Sequence, residues 1–314
     1  MTNTAFEEIQ QLGPEQPERA YRNIQESMTM RIIRRFLRHR LAVSGLIVLI
    51  LLIAGALLAP NYRYDPEKIN LRARLEPPSL EHLMGTDDLG RDMLARVLYG
   101  GRVSLTVGLL ATSLSLVLGT LVGLLAGFYG RWIDSLLMRG TDMFLSFPSL
   151  FVLIMLGAML RDTELAAFRG GLFVIVAAIA LLSWMTTARL VRATVLSLKE
   201  SGYVEAAIAA GSTNRRLVMV HILPNALGPI IVQGALQTAY SILTESGLSY
   251  LGFGIQPPTP TWGNMLNGAQ TYMTRNPWLA IFPGLMIFIT VLSVNFIGDG
   301  LRDAFDPRVI FKGK

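Results

Sequence analysis

Six stretches of this sequence carry no Asp, Glu, Lys or Arg over lengths that a lipid bilayer explains: residues 41–59, 103–129, 143–160, 170–188, 222–244 and 276–298. A hydrocarbon core about 30 Å thick needs roughly 20 helical residues at ~1.5 Å each. No water reaches the backbone there, so a run of this length must satisfy its own N–H and C=O groups as a helix. Composition agrees, with 52% hydrophobic and only 16% charged residues and a mean hydropathy of +0.45. The expected fold class is an all-α integral membrane protein with six transmembrane helices. Pro148 interrupts the third run, and Pro224 and Pro229 lie near the start of the fifth. Small residues Ala54, Ala56 and Ala59 could mark a signal-peptide cleavage site. The first run is longer than a signal core and lies further into the chain, so it reads as a span.

The segments between the runs divide the chain. Residues 1–27 are polar and acidic and bury too little apolar surface to fold alone. Residues 28–40 place Ile32, Ile33, Phe36 and Leu37 at helical spacing among Arg31, Arg34, Arg35, Arg38 and Arg40, which predicts a basic amphipathic helix along a membrane surface. The first unit is therefore 1–40, a tail and an interfacial elbow helix. A second, 41–102, joins the first span to a polar segment whose charges balance. Residues 103–298 form the transmembrane core and 299–314 a charged tail. Within the core, 130–142 is expected as a short loop, 161–169 as a turn, and the segment before the sixth run as an irregular connection bearing Pro257, Pro258, Pro260 and Trp262. Most of the 28 Lys and Arg residues lie in 1–40, 130–142, 189–216 and 299–314, which assigns these segments and both termini to the cytoplasm.

Side-chain chemistry narrows the function. There is no G-x-x-x-x-G-K-[ST], H-E-x-x-H or G-x-S-x-G, so no enzyme active site or cofactor site is expected. His39, His82 and His221 fall on distant segments and predict no metal cluster. Asp87, Asp88 and Asp92 lack the alternating spacing of a calcium loop, and N-capping by Thr86 or Asp87 accounts for them. The basic residues sit beside apolar runs, as membrane orientation requires, which argues against nucleic acid. With no cysteine, disulfide and thiol chemistry are excluded. The runs have no charge in their middles, which disfavours an ion-coupled secondary transporter. Ser115, Gly119, Gly123 and Gly127 recur every four residues and predict a face for close helix packing. Gln233, Gln237, Tyr240 and Thr244 share another face, which either lines a pathway or bonds to neighbouring helices.

One polar stretch stands out, EAAIAAGSTNRRLVMVHILP from Glu205 to Pro224. Its alanines favour helix, Gly211 can take positive φ at a helix end, and Ser212 or Thr213 can cap a second helix. Pro224 then forces a bend or a fresh start. The spacing of Glu205-Ala206-Ala207, Gly211 and Ile222-Leu223-Pro224 resembles the EAA loop in membrane subunits of bacterial ABC importers. His221 replaces the usual Ile, as in the dipeptide/oligopeptide branch, and GTDDLGRD (85–92), LSYLGFGIQPPTPTWGNM (248–265) and GDGLRDAFDPR (298–308) resemble that branch too. The resemblance implies a non-catalytic permease subunit in the cell inner membrane, forming half of a peptide pathway. Its implied partners are a second permease subunit, two cytoplasmic ATPase subunits and an extracytoplasmic substrate-binding protein. The stretch 203–224 would be the coupling loop, with Glu205, Ala206, Ala207 and Gly211 as docking surface and Ile222, Leu223 and Pro224 as the link to the fifth span. Nickel chelates or another small solute are an alternative cargo, and a secondary transporter, a channel or a structural assembly factor an alternative class.

Overall fold

The computed structural model describes residues 28–160, 163 and 171–306. The expected N-terminal tail, most of the turn over 161–169 and the end of the C-terminal tail lie outside the described residues. Among the described residues, five helices are long and apolar enough to cross a membrane. They are α2 (Arg40–Leu58), α3 (Met93–Tyr129), α6 (Leu172–Lys199), α9 (Leu223–Tyr250) and α11 (Trp278–Phe305). The expected third span is instead part of a bent pair, α4 (Arg131–Leu145) and α5 (Ser149–Leu160), which meet at 78° around Pro148. Short helices complete the order: α1 (Met28–Arg38), α7 (Gly202–Ala209), α8 (Asn214–Arg216) and α10 (Trp262–Ala269).

Several boundaries differ from expectation. The loop expected over 130–142 is helix α4, because its charges have partners. Arg192 of α6 forks onto Asp134, with Nη2 donating to Oδ2 at 2.6 Å, and Arg189 pairs with Asp142. The spans also outrun the uncharged runs. Helix α3 starts ten residues early, and its first turns carry a buried Arg96 whose Nε lies 3.5 Å from Asp87. Its cap is neither Thr86 nor Asp87 but Asp92, which accepts from the Ala95 N–H at 2.7 Å. Thr86 and Asp87 instead build the preceding turn: Thr86 Oγ1 accepts from the Glu76 N–H at 2.8 Å, and Asp87 Oδ1 from the N–H groups of Leu89 and Arg91, both at 2.9 Å. At the other end of the chain, α11 carries Asp299, Arg302 and Asp303 of the expected tail. The basic helix expected over 28–40 is α1, which ends where the His39 ring accepts from the Ala42 N–H and starts α2.

The fifth span was expected to end at Thr244; α9 runs on to Tyr250 and so takes in Glu245, which is fully buried. Its carboxyl group accepts from Ser104 Oγ of α3 at 2.9 Å and from Ser249 Oγ at 2.7 Å. Ser249 Oγ accepts in turn from the Ile255 N–H, and Ser104 Oγ from that of Trp262. One buried carboxyl group thus ties α3, α9 and the following connection, satisfying polar groups that would otherwise be costly to bury. The polar face further down α9 is not uniform: Gln237 is buried, Tyr240 is exposed, and Thr244 donates to the Tyr240 carbonyl of its own helix.

Helices α3 and α6 form the most extensive packing in the bundle, with α9 against both and α11 between α9 and α2. The glycine stripe faces α6 as expected. A Cβ built on Gly119 would lie 2.5 Å from Thr187 Cβ, one on Gly123 2.5 Å from the Ala188 carbonyl oxygen, and one on Gly127 2.8 Å from Val195 Cβ. No side chain fits in these gaps, so the helices approach backbone to backbone. Gly123→Leu is therefore expected to exceed the ~1–3 kcal/mol usual for overpacking, because the obstacle is main chain. Recovery of monodisperse subunit from membranes should fall several-fold. Gly140→Leu, where nothing lies within 4 Å, should recover at the wild-type level.

Candidate coupling surface

The stretch 202–224 projects from one end of the bundle. After α6 ends at Lys199, whose Nζ donates to the Phe128 carbonyl at 2.8 Å, α7 begins. Its end is a two-bond cap of the kind glycine permits. The Ser212 N–H bonds the Ala207 carbonyl at 3.0 Å and the Gly211 N–H that of Ile208 at 2.9 Å, with Gly211 at φ +79°. The left-handed turn expected at Gly211 is therefore present. Thr213 then caps α8, its Oγ1 accepting from the Arg216 N–H at 3.4 Å.

Between α8 and α9 the chain neither bends nor breaks. Residues Leu217–Ile222 form a π-turn, closed by the Leu223 N–H on the Val218 carbonyl, and Pro224 falls in the first turn of α9, where its missing N–H costs no bond. Asn225 Nδ2 donates to the His221 carbonyl at 2.7 Å. Neither the bend nor the fresh start expected at Pro224 is observed: the π-turn carries the helix through it, and Asn214–Tyr250 is one helical rod of 37 residues.

The expected site residues separate by environment. Glu205, Ala206 and Gly211 are exposed, and Ile222 is fully buried. Leu223 is half-buried and Pro224 exposed. Ala207 does not join the outward face. It packs against the cluster of Val204, Leu217, Ile222, Ala226, Val191 and Val195, since successive helical residues turn by about 100° and three in a row cannot face one way. The outward surface includes residues the pattern did not single out, Tyr203 and Ile208, both large and exposed. Val204, at 1% exposure, is the unforeseen inward residue that holds α7 to the bundle; its spacing from Ala207 was the available signal. Helix α7 is thus seated by its Val204–Ala207 side and joined through the Gly211 turn to the rod that contains a span.

A bundle of helices long enough to cross a membrane, with a short helix seated at one end, fits a transport permease subunit. Residues 119–311 match the family described as binding-protein-dependent transport system inner membrane component, and 27–78 match the N-terminal TM domain of oligopeptide transport permease C. A dipeptide transport system permease protein of Alkalihalophilus pseudofirmus is 43% identical over 273 residues, 87% of each chain. A protein of Brucella abortus named for a peptide transport system is 40% identical over 292 residues, 93% of this chain and 96% of its own. The chain belongs to the family of binding-protein-dependent transport permeases and is a multi-pass transmembrane subunit of an importer.

The cap at Gly211 makes a local prediction. No atom lies within 4 Å of a Cβ there, so only backbone conformation resists substitution. A β-branched residue in the left-handed region loses about 1–2 kcal/mol, roughly 5- to 30-fold in the closed-to-open ratio of the turn. Gly211→Val should therefore speed tryptic cleavage after Arg215 and Arg216 in the membrane-embedded subunit by that order, whereas Gly211→Asn should stay within about twofold of wild type.

Proposed function

We propose that this chain forms half of the translocation pathway of an ATP-driven peptide importer and docks a cytoplasmic ATPase through α7. The observation that carries this reading is the exposed face of Glu205 and Ala206 on the short helix α7, which the exposed turn at Gly211 joins to the continuous rod Asn214–Tyr250. A surface of small residues lets a partner seat closely, and an unbroken rod passes its displacement into a span. The link residues Ile222 and Leu223 lie against the cluster that holds α7, and Pro224 starts α9. The complete importer on this reading has a second, homologous permease subunit, two ATPases and an extracytoplasmic binding protein. ATP hydrolysis belongs to the partners. Peptides are favoured over nickel chelates because the relatives at about 40% identity carry peptide and dipeptide names. The chain resides in the cell inner membrane with both termini and 203–224 cytoplasmic, 60–92 outside, and residues 1–40, 41–102, 103–298 and 299–314 as successive units. The basic bias of the inner segments supports this orientation.

Orientation is tested by single cysteines in this cysteine-free chain. Leu80→Cys, at a fully exposed site, should react with an impermeant thiol reagent on intact cells, and Arg215→Cys only after permeabilisation. Labelling of position 215 from outside would reverse the assignment. Coupling is tested by Glu205→Lys, which reverses charge on the outward face of α7 without touching the bundle. In the reconstituted importer, peptide uptake and the ATP hydrolysis stimulated by loaded binding protein should both fall at least tenfold at normal subunit abundance. Wild-type rates for both would reduce α7 to a connector.

A further inference from the structure

At the end of α9 opposite α7 lies a cavity of about 510 Å³, within the ~300–1,000 Å³ typical of small-molecule sites. Its walls come from residues 85–92 and 248–265, two of the motif blocks for which coupling has no use, together with α10. The first wall is a fixed frame. Asp87 is spent within it, accepting from two backbone N–H groups and from Arg91 Nε at 2.7 Å, with Arg96 Nε at 3.5 Å. The next residue, Asp88, acts on the buried Arg96 through its charge but is not held by a bond. Among the described residues the Asp88 carboxylate has no hydrogen bond or ion pair, though it lines the cavity and is only half exposed. The Arg91 Nη atoms are likewise uncommitted, since that guanidinium donates to Asp87 through Nε.

The second wall offers acceptors. Gln256 Nε2 is used on the carbonyls of Gly252 and Gly254, and Asn267 Nδ2 on that of Tyr250. Each amide therefore keeps an oxygen without a donor among the described residues. Leu251, Phe253, Met265 and Leu279 supply apolar surface between these groups. The charged lining is two carboxylates, Asp87 and Asp88, against two guanidiniums, Arg91 and Arg96. Such a balance gives little net attraction for a simple cation or anion. It suits a dipolar ligand that carries both charges and several N–H donors.

We infer that this cavity is a staging site for a short zwitterionic peptide, with Asp88 receiving the α-ammonium group and Arg91 the α-carboxylate. The amide oxygens of Gln256 and Asn267 take backbone N–H groups, and the apolar lining accepts varied side chains without selecting among them. Both charged contacts are made to groups every free peptide has, so recognition is by backbone and termini. The site rests on the peptide reading given above. It places cargo recognition in this subunit itself, in addition to the binding protein.

The test uses the complete importer in liposomes, with binding protein loaded with radiolabelled trialanine. Asp88→Asn removes the charge and keeps the shape, and no internal bond is lost. Uptake is expected to fall about tenfold while stimulated ATP hydrolysis stays within twofold of wild type, and Asp88→Glu should keep uptake within threefold. Wild-type uptake by Asp88→Asn would overturn the site and leave peptide import standing. A parallel loss of hydrolysis would assign Asp88 to seating the binding protein, and equal loss by both variants with poor subunit recovery would assign it to folding; either result overturns the site. If the wild-type importer takes up neither dialanine nor trialanine, the peptide reading fails, and the site with it.

Discussion

The approach of α3 to α6 along Gly119, Gly123 and Gly127 is the contact on which the bundle depends. In water two apolar helices would associate simply by leaving solvent. In hydrocarbon that force is absent, and association must come from dispersion at short range and from polar contacts. Gaps too small for one methyl group bring main chain against main chain and multiply those contacts. The same approach carries Arg192 to Asp134 and Lys199 to the Phe128 carbonyl, so the ionic stitching beyond the bilayer follows from the glycine seam within it.

From this seam the two ends of α9 acquire different characters. At one end, Val204, Leu217 and Ile222 hold the short helix α7 against the bundle through an apolar cluster. At the other, Glu245 gathers hydroxyls from α3 and α9, and these bond the chain that returns over Ile255 and Trp262. Apolar contacts tolerate small sliding, whereas a saturated hydrogen-bond cluster holds its geometry.

The cavity and α7 also differ in how they become visible. The EAA-type pattern is local: helix former, glycine turn, cap and proline follow within twenty or so residues, and each acts on its own neighbourhood. The structure accordingly contains the turn at Gly211 and the cap at Thr213, while at Pro224 the helix continues through a π-turn instead of starting afresh. The cavity needs residues 85–92 and 248–265 side by side, and nothing in either block specifies the other.

What the sequence by itself determined is the part governed by short-range physics. Uncharged runs of span length, the glycine period and the order of turn residues settle the all-helical membrane class, one packing face and the turn at Gly211, because backbone satisfaction in lipid leaves few choices. Only the tertiary structure decided where charge and burial coincide. Arg96 and Glu245 lie beyond the uncharged runs yet belong to spans, since Asp87 and the serines of α3 and α9 provide their partners. Residues 130–142 are helix rather than loop because α6 supplies the arginines. Ala207 faces inward because Val204 and Ile222 are there to meet it. In each case the deciding partner lies on another element, and a burial cost can be weighed only once that partner is in place.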